Sequence, residues 1–178
     1  GDNGVCPPGG ELMIAGVTVK RFRVPLHGEL SLSKGEALTS RSGLVVEVCT
    51  MGGQVGFGEC APLPGFHPQT VGEVQKQLEK AAKALQGRIV PLSVARLDGC
   101  FDEWLFAQRR EMEIFAQWHV GGECGQEVER GRLAPCALAA LEAAILQVVA
   151  HACDAPLSAV LARSMGVGAR SHIDVNEL

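Results

Sequence analysis

Close cysteine pairs are missing from this sequence. Its seven cysteines (Cys6, Cys49, Cys60, Cys100, Cys124, Cys136 and Cys153) never stand fewer than 11 residues apart, so no CxxC ligand pair for zinc exists. The count is odd and several lie among apolar neighbours, where a reduced cysteine serves as a small hydrophobe. Reduced thiols in a reducing compartment are therefore expected, with two or three bridges in a secreted domain as the alternative. Paired histidines are missing too: His27, His67, His119, His151 and His172 form neither HxxxH nor HExxH. The glycines Gly53, Gly56 and Gly58 complete neither GxGxxG nor GxxxxGK followed by Ser or Thr, which leaves a hairpin turn and tight strand packing as their use. Ser31 and Ser33 have no His and Asp arrangement that would make either a nucleophile. Basic runs are no longer than a pair, such as Arg109 and Arg110, and the net charge is −4, which argues against nucleic-acid binding. The opening GDNGVCPPGGE has no charged n-region or apolar h-region, and it reads as a flexible lead-in over residues 1–14. The most apolar stretch, Leu133 to Ala150, is interrupted by Pro135, Glu142 and Gln147, which suits a buried helix better than a membrane span. At 178 residues the chain can build one domain with a real core, but it falls short of the roughly 250 residues of a complete (β/α)8 barrel.

What is present reads as strands followed by helices. AGVTVKRFRVPL, from Ala15 to Leu26, alternates as a strand, and HGELSLSKGEALTS follows as a loop carrying Leu30 and Leu32. Ser42 to Met51 and Gln54 to Cys60 make two more strands, joined by Gly52-Gly53 in a hairpin. APLPGFHPQ places Pro62, Pro64 and Pro68 close together, so it must be a shaped loop. Thr70 then caps a helix with Glu73 completing a capping box; Val74, Leu78, Ala81, Ala82 and Leu85 form its apolar face, and Gly87 stops it. Leu97 to Met112 has helical character around Trp104, and His119 to Gly131 reads as an exposed insertion. A second clear helix begins at Pro135 with Leu138, Leu141, Ile145, Val148 and Val149 on one face. A short helix over Pro156 to Met165 follows, and Ser171 to Val175 opens a strand. The order gives an α+β fold, a three-stranded antiparallel meander with helices on one face. Glu47 and Glu59 fall on paired strands; a solvated Glu47 and a Glu59 hydrogen-bonded to the following loop are preferred to an acid/base couple. His67, inside the proline loop, is the one histidine singled out for ligand contact. The residues alone lead to an α+β module with two shaped loops and no catalytic group.

In order, RVPLHGELSLSKGE, TSRSGLVVEV and VGFGECAPLPGFHPQT leading into a helix resemble the N-terminal capping domain of the enolase superfamily. GECAPLPGF before a Thr-started helix is most similar to the o-succinylbenzoate synthase family. PCALAALEAAILQVV resembles that family's Pro-initiated helix with an internal Glu, here Glu142. HIDVNEL resembles the first barrel strand, with Val175 and Asn176 in its Val-Asn pair. LDGCFDEWLF is similar to the matching segment of the fused phylloquinone-biosynthesis proteins of plants and green algae. The resemblance implies a capping domain over residues 15–170, with an insertion near 118–132, and the start of a truncated barrel over 171–178. It implies a lyase whose complete form dehydrates 2-succinyl-6-hydroxy-2,4-cyclohexadiene-1-carboxylate to 2-succinylbenzoate, using a barrel Lys and Mg2+ on barrel carboxylates to hold an enediolate. On that reading this chain holds no catalytic or metal-ligating residue and is inactive by itself. Its share is substrate contact by Leu30, Ser31 and Leu32 on the first loop and Leu63, Pro64, Gly65 and Phe66 on the second, closing over the barrel mouth. The implied partners are a small carboxylate substrate, the chain's own C-terminal barrel and, through fusion, other quinone-biosynthesis enzymes, with no nucleic acid or membrane. A plastid is the implied location, with the bacterial cytoplasm as the alternative. The cap of a muconate-lactonising enzyme or dipeptide epimerase, or a barrel-less interaction module, are the competing readings.

Overall fold

The computed structural model describes residues 10–31, 37–92, 104, 107, 133–164 and 166–168. The strands β1 (Glu11–Ser31), β2 (Ala37–Thr50) and β3 (Val55–Cys60) form the expected antiparallel meander. A short β4 (Ile89–Pro91) adds to the free side of β1, giving the order β3-β2-β1-β4. That addition corrects the lead-in. Glu11, Leu12 and Met13 pair with Pro91, Val90 and Ile89, and Ile14 is buried, so the strand starts within the span expected to be flexible. β1 also outruns its expected end at Leu26. Pairing is interrupted after Pro25, which has no N–H to give, and resumes at Leu30↔Leu38 and Ser31↔Ala37.

The β2–β3 hairpin closes as the glycine pair suggests. Gly53 takes φ +83°, a conformation open to glycine and strained for other residues, and its N–H donates to the Thr50 carbonyl at 3.0 Å. The Thr50 hydroxyl donates to the Gln54 side-chain carbonyl across the same turn.

Period-two alternation sends Leu44, Val46 and Val48 of β2 and Cys60 of β3 to one face, where all are buried. Two helices cover that face: α1 (Val71–Leu85) lies mainly on β1, and α2 (Pro135–Ala152) mainly on β3. The five apolar residues read from the α1 sequence are all buried, together with Gln77. The α1 start is built by a reciprocal cap, in which Thr70 Oγ1 accepts from the Glu73 N–H and Glu73 Oε2 accepts from the Thr70 N–H at 2.7 Å. α2 has no side-chain cap of its own. The buried Gln77 amide oxygen, reaching across from α1, accepts the Ala134 N–H at 2.8 Å instead.

α2 meets β3 almost backbone to backbone. A Cβ built on Gly56 would stand 2.0 Å from the Ala144 carbonyl oxygen, and one on Gly58 would stand 1.8 Å from that of Ala140. The glycines of β3 therefore serve strand–helix packing. Gln147 of α2 then reaches the outer edge of the same strand, accepting the Phe57 N–H at 3.1 Å and donating to the Phe57 carbonyl at 2.8 Å. It supplies the pairing a neighbouring strand would have made. By length and composition α2 could cross a membrane, yet its Ala137, Ala140, Leu141, Ala144, Ile145 and Val148 face is packed in this core. A last helix, α3 (Leu157–Ser164), rests on α2 through the buried Val160.

Trp104 is helical and buried, donating its indole N–H to the Ile89 carbonyl at 2.7 Å. The expected insertion at 118–132 and the expected strand at 171–175 lie outside the described residues. The cysteines depart from expectation at one position. Cys49, Cys60 and Cys136 are free thiols, whereas Cys153 is disulfide-bonded, and none of those three is its partner.

Candidate functional site

β1 and β3 run parallel to each other with β2 between them, so the β1–β2 connection and the segment after β3 leave the sheet at the same end. This alone brings the two candidate loops to one side of the molecule. They do not sit at the same height. Cys60, the last residue of β3, pairs with Leu44, while the β1–β2 arm continues to Leu30↔Leu38 and Ser31↔Ala37. Six residues of β2 separate Leu44 from Leu38, so the arm extends roughly 20 Å past β3 at about 3.3 Å per residue. Leu30 and Ser31 are exposed near its tip, on strand rather than loop, and Leu32 lies outside the described residues.

The second segment is a tight turn held from within. Leu63 O accepts from the Phe66 N–H at 3.1 Å and from the His67 N–H at 3.0 Å. The Leu63 N–H in turn donates to His67 Nδ1 at 2.9 Å, so the imidazole side chain closes the turn with its lone pair. Gly65 has φ +75°, which a side chain would strain. Arg41, on the extended arm, donates from Nη2 to the Ala61 carbonyl at 2.6 Å and fixes where the turn begins. Pro62 is buried beneath it, while Pro64, Gly65 and Phe66 face solvent. Phe66 is 80% exposed, with its ring 5.9 Å from the His67 ring, and so it is presented outward by a preformed scaffold.

Sequence reading picked out Leu63, Pro64, Gly65, Phe66 and His67, and the structure gathers them into one turn. It missed Arg41 and assigned the bracing to Glu59. Glu59 is exposed on the sheet face away from the helices, and among the described residues no group hydrogen-bonds its carboxylate. Glu47 lies on that same outer face and pairs with Lys20 at 2.9 Å, so the two carboxylates are not assembled for acid/base work. The turn offers an apolar aromatic surface with ordered backbone. Besides the His67 imidazole, which is engaged with the Leu63 N–H, it carries no titratable side chain.

Residues 14–94, the span containing the arm and the turn, match the family model for the MenC N-terminal domain. That part of the chain is similar to a MenC-type capping domain. The wider fold is similar to solved enolase-superfamily structures. A mandelate racemase/muconate lactonizing enzyme from Roseovarius nubinhibens ISM, complexed with magnesium, superposes with a TM-score of 0.59 and 23% identity, covering 83% of this chain and 33% of that one. A mandelate racemase/muconate lactonizing protein from Herpetosiphon aurantiacus gives a TM-score of 0.52 and 18% identity, covering 78% of this chain and 31% of that one. The o-succinylbenzoate synthase from Thermosynechococcus elongatus BP-1, with Mg in its active site, is 31% identical over 36% of this chain and 20% of its own, with a TM-score of 0.34. This chain thus spans a third or less of the solved proteins it resembles. No curated protein matches it by sequence.

Proposed function

We propose that this MenC-type cap belongs to an o-succinylbenzoate synthase, the lyase that removes water from 2-succinyl-6-hydroxy-2,4-cyclohexadiene-1-carboxylate to give 2-succinylbenzoate. The observation that carries the reading is the match of residues 14–94 to the MenC N-terminal domain, because that span includes both loops of the cap. The reacting groups of the complete enzyme lie on a barrel outside residues 1–178. Among the described residues no group of three or more His, Cys, Asp or Glu stands together as a metal site.

What these residues contribute is cover and shape. The turn at Leu63, Pro64, Gly65 and Phe66 supplies an apolar wall whose backbone is already ordered, so little entropy is lost when it closes on a ligand. Leu30 and Ser31, reaching past it on the arm, contact the substrate from a second side. Water excluded by both strengthens every electrostatic interaction in the barrel mouth beneath.

The test is dehydratase activity, with and without added Mg2+, of the 178-residue chain and of the gene product extended through the barrel. Mg2+-dependent formation of 2-succinylbenzoate by the extended protein alone is the expected result. Turnover by the 178-residue chain, or none by the extended protein, removes the reading.

A further inference from the structure

The contact between β3 and α2 repeats with a fixed step. Gly56 faces Ala144 and Gly58 faces Ala140, so two residues of strand advance with four residues of helix. The two rises agree, at about 6.6 Å for two strand residues and about 6 Å for four helical ones. The next step sets Cys60 opposite Cys136. A disulfide needs Cα atoms about 4.4–6.8 Å apart, and a strand–helix contact lined by glycine is one of the few places where those two backbones come that close. Both thiols are free, and Cys136 is among the groups that act on the Cys60 thiol. Cys153 is already bridged and is not a competing partner.

We propose that Cys60 and Cys136 are a reversible dithiol–disulfide site that takes a low-molecular-weight disulfide of the glutathione class as its oxidant. The two thiols have separate parts. Cys60 is 1% exposed, and Cys136, in the first turn of α2, is partly exposed, so the oxidant enters at Cys136. Cys136 thiolate attacks one sulfur of the glutathione disulfide; that S–S bond breaks, a Cys136–glutathione mixed disulfide forms, and the released thiolate takes up a proton. Cys60 then loses its proton to solvent and attacks Cys136 Sγ, expelling the second glutathione. Two protein thiols are oxidised by two electrons, and one glutathione disulfide is reduced to two thiols. Burial pushes the Cys60 thiol up, and the adjacent Cys136 thiol and Glu59 carboxylate raise it further, which suits Cys60 to the second step rather than the first.

The bond would join the last residue of β3 to the first turn of α2. Ala61, whose carbonyl Arg41 holds, comes next in the chain, so the crosslink would fix the base of the Phe66 turn.

The 178-residue chain is equilibrated in glutathione buffers of rising disulfide content, alkylated and mapped as non-reduced peptides by mass spectrometry. The expected product is a peptide pair joined through Cys60 and Cys136, which disappears when excess reduced glutathione is restored. In a Cys60→Ala chain the same treatment should leave a persistent Cys136–glutathione mixed disulfide. The proposal is overturned if both thiols stay alkylatable at every buffer ratio, or if the unsubstituted chain stops at the mixed disulfide.

Discussion

A methyl group at Gly58 would stand 1.8 Å from a helix carbonyl oxygen, and no rotamer change relieves a collision with backbone. Gly58→Ala must therefore push α2 off β3, and the expected loss is at least about 2–3 kcal/mol in urea unfolding. Gly53→Ala makes the useful contrast. Its Cβ meets nothing within 4 Å, and only its positive φ is strained, so about 1 kcal/mol is expected. Equal losses at the two positions would show that the close approach does not govern Gly58. Phe66 is the opposite kind of residue, since it is exposed and its removal leaves no cavity. In the extended enzyme, Phe66→Ala should lower kcat/KM by about 10-fold or more while moving the melting temperature little; unchanged kinetics would take Phe66 out of the pocket. The glycine-rich run was readable as tight packing before any fold was known. Which backbone it packs against was not, because Ala140 and Ala144 lie more than eighty residues further along.

Among the elements, α1 is the one the sequence defines most completely, because its cap, apolar stripe and stop all lie within residues 70–87. Thr70→Ala should cost about 1 kcal/mol by removing that cap. The Glu73 carboxyl is held below its ordinary range by the Thr70 N–H and then by the Thr70 hydroxyl. Its stabilisation is complete above the unfolded-state pKa and is lost as pH falls through the lowered folded-state pKa. Melting curves across the acid range should show that loss in the parent chain and its absence in Glu73→Gln. α2 was equally legible as a buried helix, but not its anchors. Gln77 and Gln147 look like ordinary polar positions until their partners, Ala134 and Phe57, are brought alongside by packing. The strands erred in length for the same reason: Glu11 to Met13 have no strong pattern of their own and become strand because β4 pairs with them.

At the scale of the whole molecule, the sheet must end somewhere, and its two ends are managed differently. β4 is three residues long and offers a partner chain little to pair with, whereas β3 is six residues long and, among the described residues, has no strand on its outer side. Gln147 is what occupies that border, taking both backbone groups of Phe57, whose own ring is exposed. Gln147→Leu keeps the size and helix propensity of the residue and deletes both bonds. The direct cost is about 1 kcal/mol, read as a melting temperature lowered by about 2–4 °C. The larger consequence is intermolecular, because a strand edge with an unpaired N–H and C=O beside an exposed Phe is a template for a second chain. Sedimentation velocity over a concentration series should show the Gln147→Leu protein associating under conditions where the parent does not. If both sediment alike while the variant melts lower, Gln147 is a packing residue only, and the β3 edge is protected by the bulk of α2 itself.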